Sequence, residues 1–257
     1  MRILFVGDAV GRTGRQALAK LLPALRREFR VDLTIANGEN AAAGRGITPP
    51  VAEEMLRSGV DVITTGNHVW DQKEIIPYLD SSAPILRPLN FPPGVPGRGI
   101  LQEGAVTVIN LQGRVFMANI DCPFRAVNQE LGNISPGSII IVDMHAEATS
   151  EKIAMGWYLD GRVSAVVGTH THVGTADARV LPHGTAFVCD VGMTAAIDSV
   201  IGDNIDSVLQ RFLTAMPVRL QPATGRAVLN SVLVEVDDST GRAINIQRID
   251  RETDDDQ

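Results

Sequence analysis

MRILFVGDAVGRTGRQALAKLLPALRREFRVDLTIANGEN, residues 1–40, is the stretch that decides the fold. Residues 2–7 (RILFVG) are a short β-rich run that stops at Gly7-Asp8. Residues 13–29 have helical spacing, with Leu18, Leu21, Leu22 and Leu25 along one side. Residues 31–36 (VDLTIA) read as a second strand, ending at Asn37-Gly38-Glu39-Asn40. Strand, helix and strand in that order make a parallel βαβ unit. Its right-handed crossover puts the loops after both strands on one edge of the sheet. The pattern then repeats. Thr48-Pro49-Pro50 opens a helix that runs to Ser58-Gly59, and residues 60–64 (VDVIT) are a third strand ending in Gly66-Asn67-His68.

Beyond this parallel third the chain changes character. Residues 84–98 are rich in Pro and Gly and read as a long irregular connection. Residues 105–111, 115–120 and 139–142 are β-type runs, 149–159 and 204–214 read as helices, and 163–168 as a buried strand. Pro182-His183-Gly184-Thr185 is a hairpin turn, and 227–236 with 243–249 form a second hairpin. Residues 251–257 (RETDDDQ) read as a frayed acidic tail. With no internal repeat and no linker, the whole of 1–257 is expected to form one α/β domain with a parallel half and a hairpin-rich half.

Composition narrows the class. The chain has 257 residues, 44% of them hydrophobic, enough for a substantial core and too apolar for a disordered chain. No run of about 18 apolar residues exists to span a bilayer. The short apolar N-terminus lacks a cleavage site, so a cytoplasmic protein is expected. Cys122 and Cys189 make no disulfide framework and read as small buried residues. The net charge of −7 excludes a nonspecific nucleic-acid coat but not a local positive site built on metal ions.

The chemistry gathers where the strands end. Four of the five histidines lie there, His68, His145, His170 and His172, beside Asp8, Glu39, Asn40 and Asn67. In an open α/β sheet this carboxyl edge is where ligands bind. Imidazole, carboxylate and amide groups without thiolate suit Fe, Mn or Zn, and the set is large enough for two ions. Two such ions can clamp a phosphate ester and supply hydroxide at neutral pH. Taken singly, Asp8 also fits a helix cap or a ribose contact, and His145 a satisfied buried histidine. Gly7, Gly11 and Gly14 match neither GxGxxG nor a Walker loop. His183 reads as a turn residue, Arg26-Arg27 as a solvated helix face, and Phe124 with Arg125 as either a cover for a substrate base or loop packing.

Gly7-Asp8, Gly66-Asn67-His68, the lone His145 and Gly168-Thr169-His170-Thr171-His172 resemble the calcineurin-like metallophosphoesterase superfamily. The longer strings MRILFVGDAVGRTGR, ANGENAAAGRGIT, TTGNHVWDQKEI and VGTHTHVGTAD, with VGMT near residue 192, are similar to its YmdB-like branch over roughly residues 1–205. The resemblance implies a two-sheet α/β sandwich and a two-metal phosphodiesterase acting on 2′,3′-cyclic nucleotides or related phosphodiesters, with iron first and Mn or Zn as alternatives. It implies that Asp8, Asn40 and His172 hold one metal, that Asn67, His145 and His170 hold the other, and that Glu39 bridges them. Asn40 would stand in for a histidine that many members carry two residues after the aspartate, where this chain has Val10. Hydroxide held at the metals would attack phosphorus, with His68 assisting the leaving oxygen. The implied partner is a small phosphate ester, with no membrane. A phosphomonoesterase, or a metal-holding RNA-related regulatory protein without catalysis, are the alternatives. Val173-Gly174 and Ala195-Ala196 depart from the expected Val-Pro and Gly-Pro, which bears on loop rigidity near the site.

Overall fold

The computed structural model describes residues 1–254. The first segment comprises β1 (Arg2–Val6), β2 (Asp8–Ala9), α1 (Gly11–Phe29), β3 (Leu33–Asn37), α2 (Pro49–Arg57), β4 (Val62–Thr64) and α3 (Ile75–Leu79). The middle contains β5 (Ile100–Glu103), β6 (Val106–Gln112), α4 (Pro123–Leu131), β7 (Ile139–His145), α5 (Thr149–Leu159), β8 (Ala165–Thr169), β9 (Arg179–Val180) and β10 (Ala186–Val188). The last part holds β11 (Met193–Ala196), α6 (Ile205–Thr214), β12 (Ala227–Leu229), β13 (Ser231–Val236), β14 (Ala243–Arg248) and β15 (Arg251–Glu252). Among the described residues no helix is long and apolar enough to cross a membrane.

Two sheets stack face to face. One has the order β14-β13-β1-β3-β4 and the other β5-β6-β7-β8-β10-β9. The two-residue period of a strand explains the layering. In β1, Ile3 and Phe5 enter the core between the sheets with Ile35, Val108, Ile141 and Val167. Leu4 and Val6 face the other way and pack with Leu18, Leu22 and Leu25 of α1 and Met55 of α2. The second sheet repeats this, with Ile140, Val142 and Met144 of β7 meeting Met155 and Leu159 of α5. Strands buried on both faces need near-continuous apolar sequence, and RILFV and IIIVDMH supply it. The expected α/β two-sheet sandwich is the observed architecture.

A third sheet, β15-β12-β11-β2, forms where two strands change partners. Gly7 separates β1 from β2, and Asn230 separates β12 from β13; the Gly7 N–H donates to the Asn230 carbonyl at 3.0 Å. A side chain at Gly7 would lie 2.0 Å from the Gly192 carbonyl oxygen, so only glycine fits the crossing. Asp8 is thereby carried on a strand paired with Met193, where the sequence suggests a loop.

Several expectations need correction. Residues 115–120 are not a strand: the Glu151 carboxylate takes the N–H groups of Arg114 and Val115, and Phe116 has φ 62° and is exposed. The stretch 121–134 is not all loop, because α4 occupies its centre. The 227–236 run is broken at Asn230. The tail is not frayed from 251 onward, since Arg251 and Glu252 pair with Leu229 and Val228; the rest of that reading, 255–257, lies outside the described residues. Cys189 is buried as expected, but Cys122 is only half-buried, at the start of α4.

Phe5 lies fully buried where the two sheets meet. Phe5→Ala should therefore lower unfolding stability by about 3–5 kcal/mol, read as a lower denaturant midpoint at unchanged m.

Candidate metal centre

The carboxyl ends of β1, β3, β4, β7 and β8 meet at one point because the sheets stack with those edges together. Each end contributes one or more polar side chains. β7 runs further than its sequence suggests, so His145 stands on the strand itself, fully buried, beside Thr169 at the end of β8.

His145 is the hub. Its Nδ1 lies 2.8 Å from the Thr169 hydroxyl, which donates its single hydrogen to Asp143 at 2.7 Å. The hydroxyl can then only accept, so Nδ1 carries the imidazole hydrogen and Nε2 presents a bare lone pair. Around Nε2 stand Glu39 Oε1 at 2.9 Å, Asn67 Oδ1 at 3.1 Å and His170 Nδ1 at 3.0 Å. Burial, the largest influence, pushes the His145 pKa down to about 4 against the opposing pull of Glu39, so the ring is neutral at pH 7. Burial also pushes Glu39 upward, but His145 and His170 more than offset it and hold its carboxyl well below the usual range. Glu39, His145 and His170 offer ligand atoms all within 4.8 Å of one another.

Asp8 forms the second focus. Its Oδ2 accepts the His170 N–H at 3.2 Å, while its buried Oδ1 has no hydrogen-bond partner among the described residues. Burial, with Asp190, Glu39 and Asp143 adding repulsion, raises this carboxyl well above its usual range. His172 Nδ1 donates to the Ile201 carbonyl at 2.8 Å, which leaves its Nε2 lone pair facing Asn40 at 3.1 Å and Asp8 Oδ1 at 3.8 Å. Asn40 also donates to Glu39 Oε1 at 3.3 Å, joining the two foci. A buried orphan carboxylate oxygen beside bare imidazole nitrogens is the donor chemistry of a cation site, and the residues present fit one.

His68 approaches from the open side. Its backbone N–H donates to Glu39 Oε2 at 3.1 Å, and its ring Nδ1 lies 2.8 Å from Asp71 on the next turn of chain. His68, Glu39, Asn40, His170 and His172 line a cavity of about 340 Å³. Gly66 makes the approach possible, since a side chain there would lie 2.1 Å from His145 Cδ2 and 2.5 Å from Glu39 Oε2.

All eight residues singled out in the sequence meet here. Asp8 caps nothing: α1 begins at Val10 without a side-chain cap. His183 is an exposed turn residue on Asp160, as expected. Arg26 is less solvated than expected, pairing with Asp61 at 2.8 Å. Phe124 packs edge-on against Tyr158, which favours the packing reading. Gly174 lies under the Arg248 guanidinium, and Ala195 and Ala196 are in β11, so both departures fall in well-packed backbone.

Sequence reasoning missed the supporting residues. Asp71 was signalled only by its three-residue spacing from His68. Glu147, 3.1 Å from His170 Nε2, and Asn37, which donates to Asp143 at 3.3 Å, carried no signal. The most buried of these supports is Asp190. It accepts Lys152 Nζ at 2.6 Å, the Thr171 hydroxyl at 2.7 Å and the Gly192 N–H at 2.8 Å. This anchors a loop in which His170 (φ 95°) and His172 (φ 64°) both adopt left-handed backbone, a strain that the anchor must offset.

The family described as "YmdB-like protein" matches residues 4–249 of the chain. A 2′,3′-cyclic-nucleotide 2′-phosphodiesterase of Bacillus subtilis (strain 168) is 47% identical over 254 residues, covering 97% of this chain and 96% of its own. A crystal structure of a hypothetical protein from Thermus thermophilus superposes with a TM-score of 0.92 at 43% identity, covering 98% of this chain and 99% of that one. Another, described as a novel phosphatase of Mycoplasma pneumoniae, gives a TM-score of 0.93 at 32% identity, covering 100% and 95%. The fold is therefore that of the metallophosphoesterase-type phosphatases.

Lys152 and Asp190 are both buried. Lys152→Met should cost about 3–5 kcal/mol in urea unfolding, because it strands the carboxylate. Lys152→Met combined with Asp190→Asn, which removes both charges but keeps an acceptor, should recover part of that loss.

Proposed function

The chain belongs to the YmdB-like family, and from that premise we propose that it is a metal-dependent phosphodiesterase hydrolysing 2′,3′-cyclic nucleotides and related phosphodiesters. The observation that most supports this reading is the meeting of Glu39, Asn67 and His170 on the bare Nε2 of His145, beside the unpartnered oxygen of Asp8. The activity named for the Bacillus subtilis relative points the same way.

On this reading Asp8, Asn40 and His172 hold one ion and Asn67, His145 and His170 a second, with Glu39 shared between them. Iron is the ion assigned first, and Mn or Zn suits the same donors. Bound ions supply positive charge for phosphoryl oxygens and lower the pKa of water toward neutrality. The chain's own residues do the rest. Thr169 and Asp143 fix the His145 tautomer, so that Nε2 faces inward. Asp190 holds the loop that presents His170 and His172. His68 lines the cavity with Nδ1 on Asp71, which leaves Nε2 to give a proton to the departing oxygen.

A second reading, a phosphomonoesterase, draws on the description of the Mycoplasma pneumoniae relative as a phosphatase. Hydrolysis of 2′,3′-cyclic AMP, a generic diester and a monoester, run side by side on metal-loaded protein, separates the two. Diester preference, abolished by chelation, is expected, and monoester preference would overturn the first reading.

Two variants test the role given to His68. His68→Ala should retain bound metal and lose about 10²–10⁴-fold in kcat. Asp71→Asn should lose less and alter the pH profile of kcat. Full turnover in His68→Ala would show that the ring takes no part.

A further inference from the structure

The cavity in front of the candidate ligands does not end at them. Its outer wall carries Arg45 and Arg211, and a second cavity of about 360 Å³ continues past these to Arg219 and Gln72. The two cavities share Gly44, Arg45, Asp203, Arg211 and Leu220, so they form one groove leading away from the metal centre. Three guanidinium groups along one groove stand out on a chain of net charge −7.

These arginines have no structural task. None of the three side chains makes a hydrogen bond or ion pair with another described residue, unlike Arg15, Arg26 and Arg248, which are each committed to a carboxylate. Asp203 is the one carboxylate lining the shared stretch, and its charge faces both Arg45 and Arg211, which leaves the groove positive. Glu147 lies at the other end, against His170. The backbone under the arginines is fixed. The Arg45 N–H donates to the Ala42 carbonyl at 3.1 Å, and its carbonyl accepts from Gln72 Nε2 at 2.9 Å. Arg211 rides on α6, whose start is capped by Asn204 accepting the Ser207 N–H at 3.1 Å.

A guanidinium offers a planar fork of donors suited to phosphate. A reacting phosphate at the metal centre lies among Asp8, Glu39 and the histidines, so arginines further along the groove serve a different anion on the same substrate. We propose that Arg45 and Arg211, with Arg219 beyond them, bind a second phosphate, so that the preferred substrate is a 2′,3′-cyclic phosphate carrying another phosphate on its 5′ side. This rests on the phosphodiesterase reading above. The second phosphate has two chemical sources, the 5′-phosphate of a mononucleotide or the internucleotide linkage at an RNA 3′ end. A local basic groove serves either without making the acidic chain a general nucleic-acid coat.

The test compares kcat/KM on 2′,3′-cyclic AMP, its 5′-phosphorylated form and a dinucleotide ending in a 2′,3′-cyclic phosphate. The native protein should prefer one or both doubly charged substrates by about tenfold or more. That preference should fall toward unity in R45Q/R211Q. Preference for both substrates identifies any second phosphate as sufficient, and preference for the dinucleotide alone identifies the RNA end. A binding measurement runs independently of turnover: a fluorescent trinucleotide with a cyclic phosphate end, titrated into chelated protein. R45Q/R211Q should bind it about tenfold more weakly, and the slope of log K against log salt should be shallower by about 1.4, for two lost phosphate contacts. Equal rates on all three substrates, or unchanged trinucleotide binding in R45Q/R211Q, would overturn the proposal. Absence of turnover on every cyclic phosphate, with trinucleotide binding retained, would instead overturn the phosphodiesterase reading.

Discussion

The interaction on which the rest depends is the crowding of unprotonated donors at His145 Nε2. Thr169 fixes the ring hydrogen on Nδ1, and Glu39, Asn67 and His170 then close on a nitrogen with nothing to donate. Lone pairs brought this close in a buried place repel one another, and a proton at Nε2 is disfavoured because burial pushes the His145 pKa down to about 4. A cation resolves the conflict. The fold supplies the force that holds the donors together without one. Apolar faces of both sheets are buried against each other and against helices, and the polar edge is carried along by the stacking.

The edge is stiffened by buried charge. Asp143, its carboxyl raised to about 7 chiefly by burial, is met by Thr64, Thr169 and Asn37, and Lys152 reaches Asp190 under the histidine loop. Neither network touches the cavity. Each orients a side chain that does, which is why the centre extends two residues deep into both sheets. Further out the polarity changes sign, and the arginine-lined groove gives an acidic chain one positive approach to its site.

Much of this was legible in the sequence, for local reasons. The leucine stripe of α1, the apolar runs of β1, β3 and β7, and the polar residues that end them each state their structure within a few positions. Clustering of four histidines at strand ends gave the centre, and the family resemblance gave its ligand set. What escaped depended on distant partners. The pairing of β2 with β11 is two residues long, so neither strand has a periodic signal. In α4 only Pro123 and Val127 are buried, too little to mark a stripe. Residues 115–120 have strand-like composition, but Glu151 captures their backbone N–H groups. Lys152 and Asp190 are 38 residues apart, and only the folded chain shows that they belong together.

The most direct measurement is calorimetric titration of chelated protein with Mn(II) or Fe(II), read together with thermal unfolding of the same samples. Two ions bound per chain, with unfolding raised by both, is the expected result, because the donors fall into two foci joined by Glu39. No binding under any loading condition would contradict the account, since the crowded lone pairs at His145 and the orphan oxygen of Asp8 would then need another explanation.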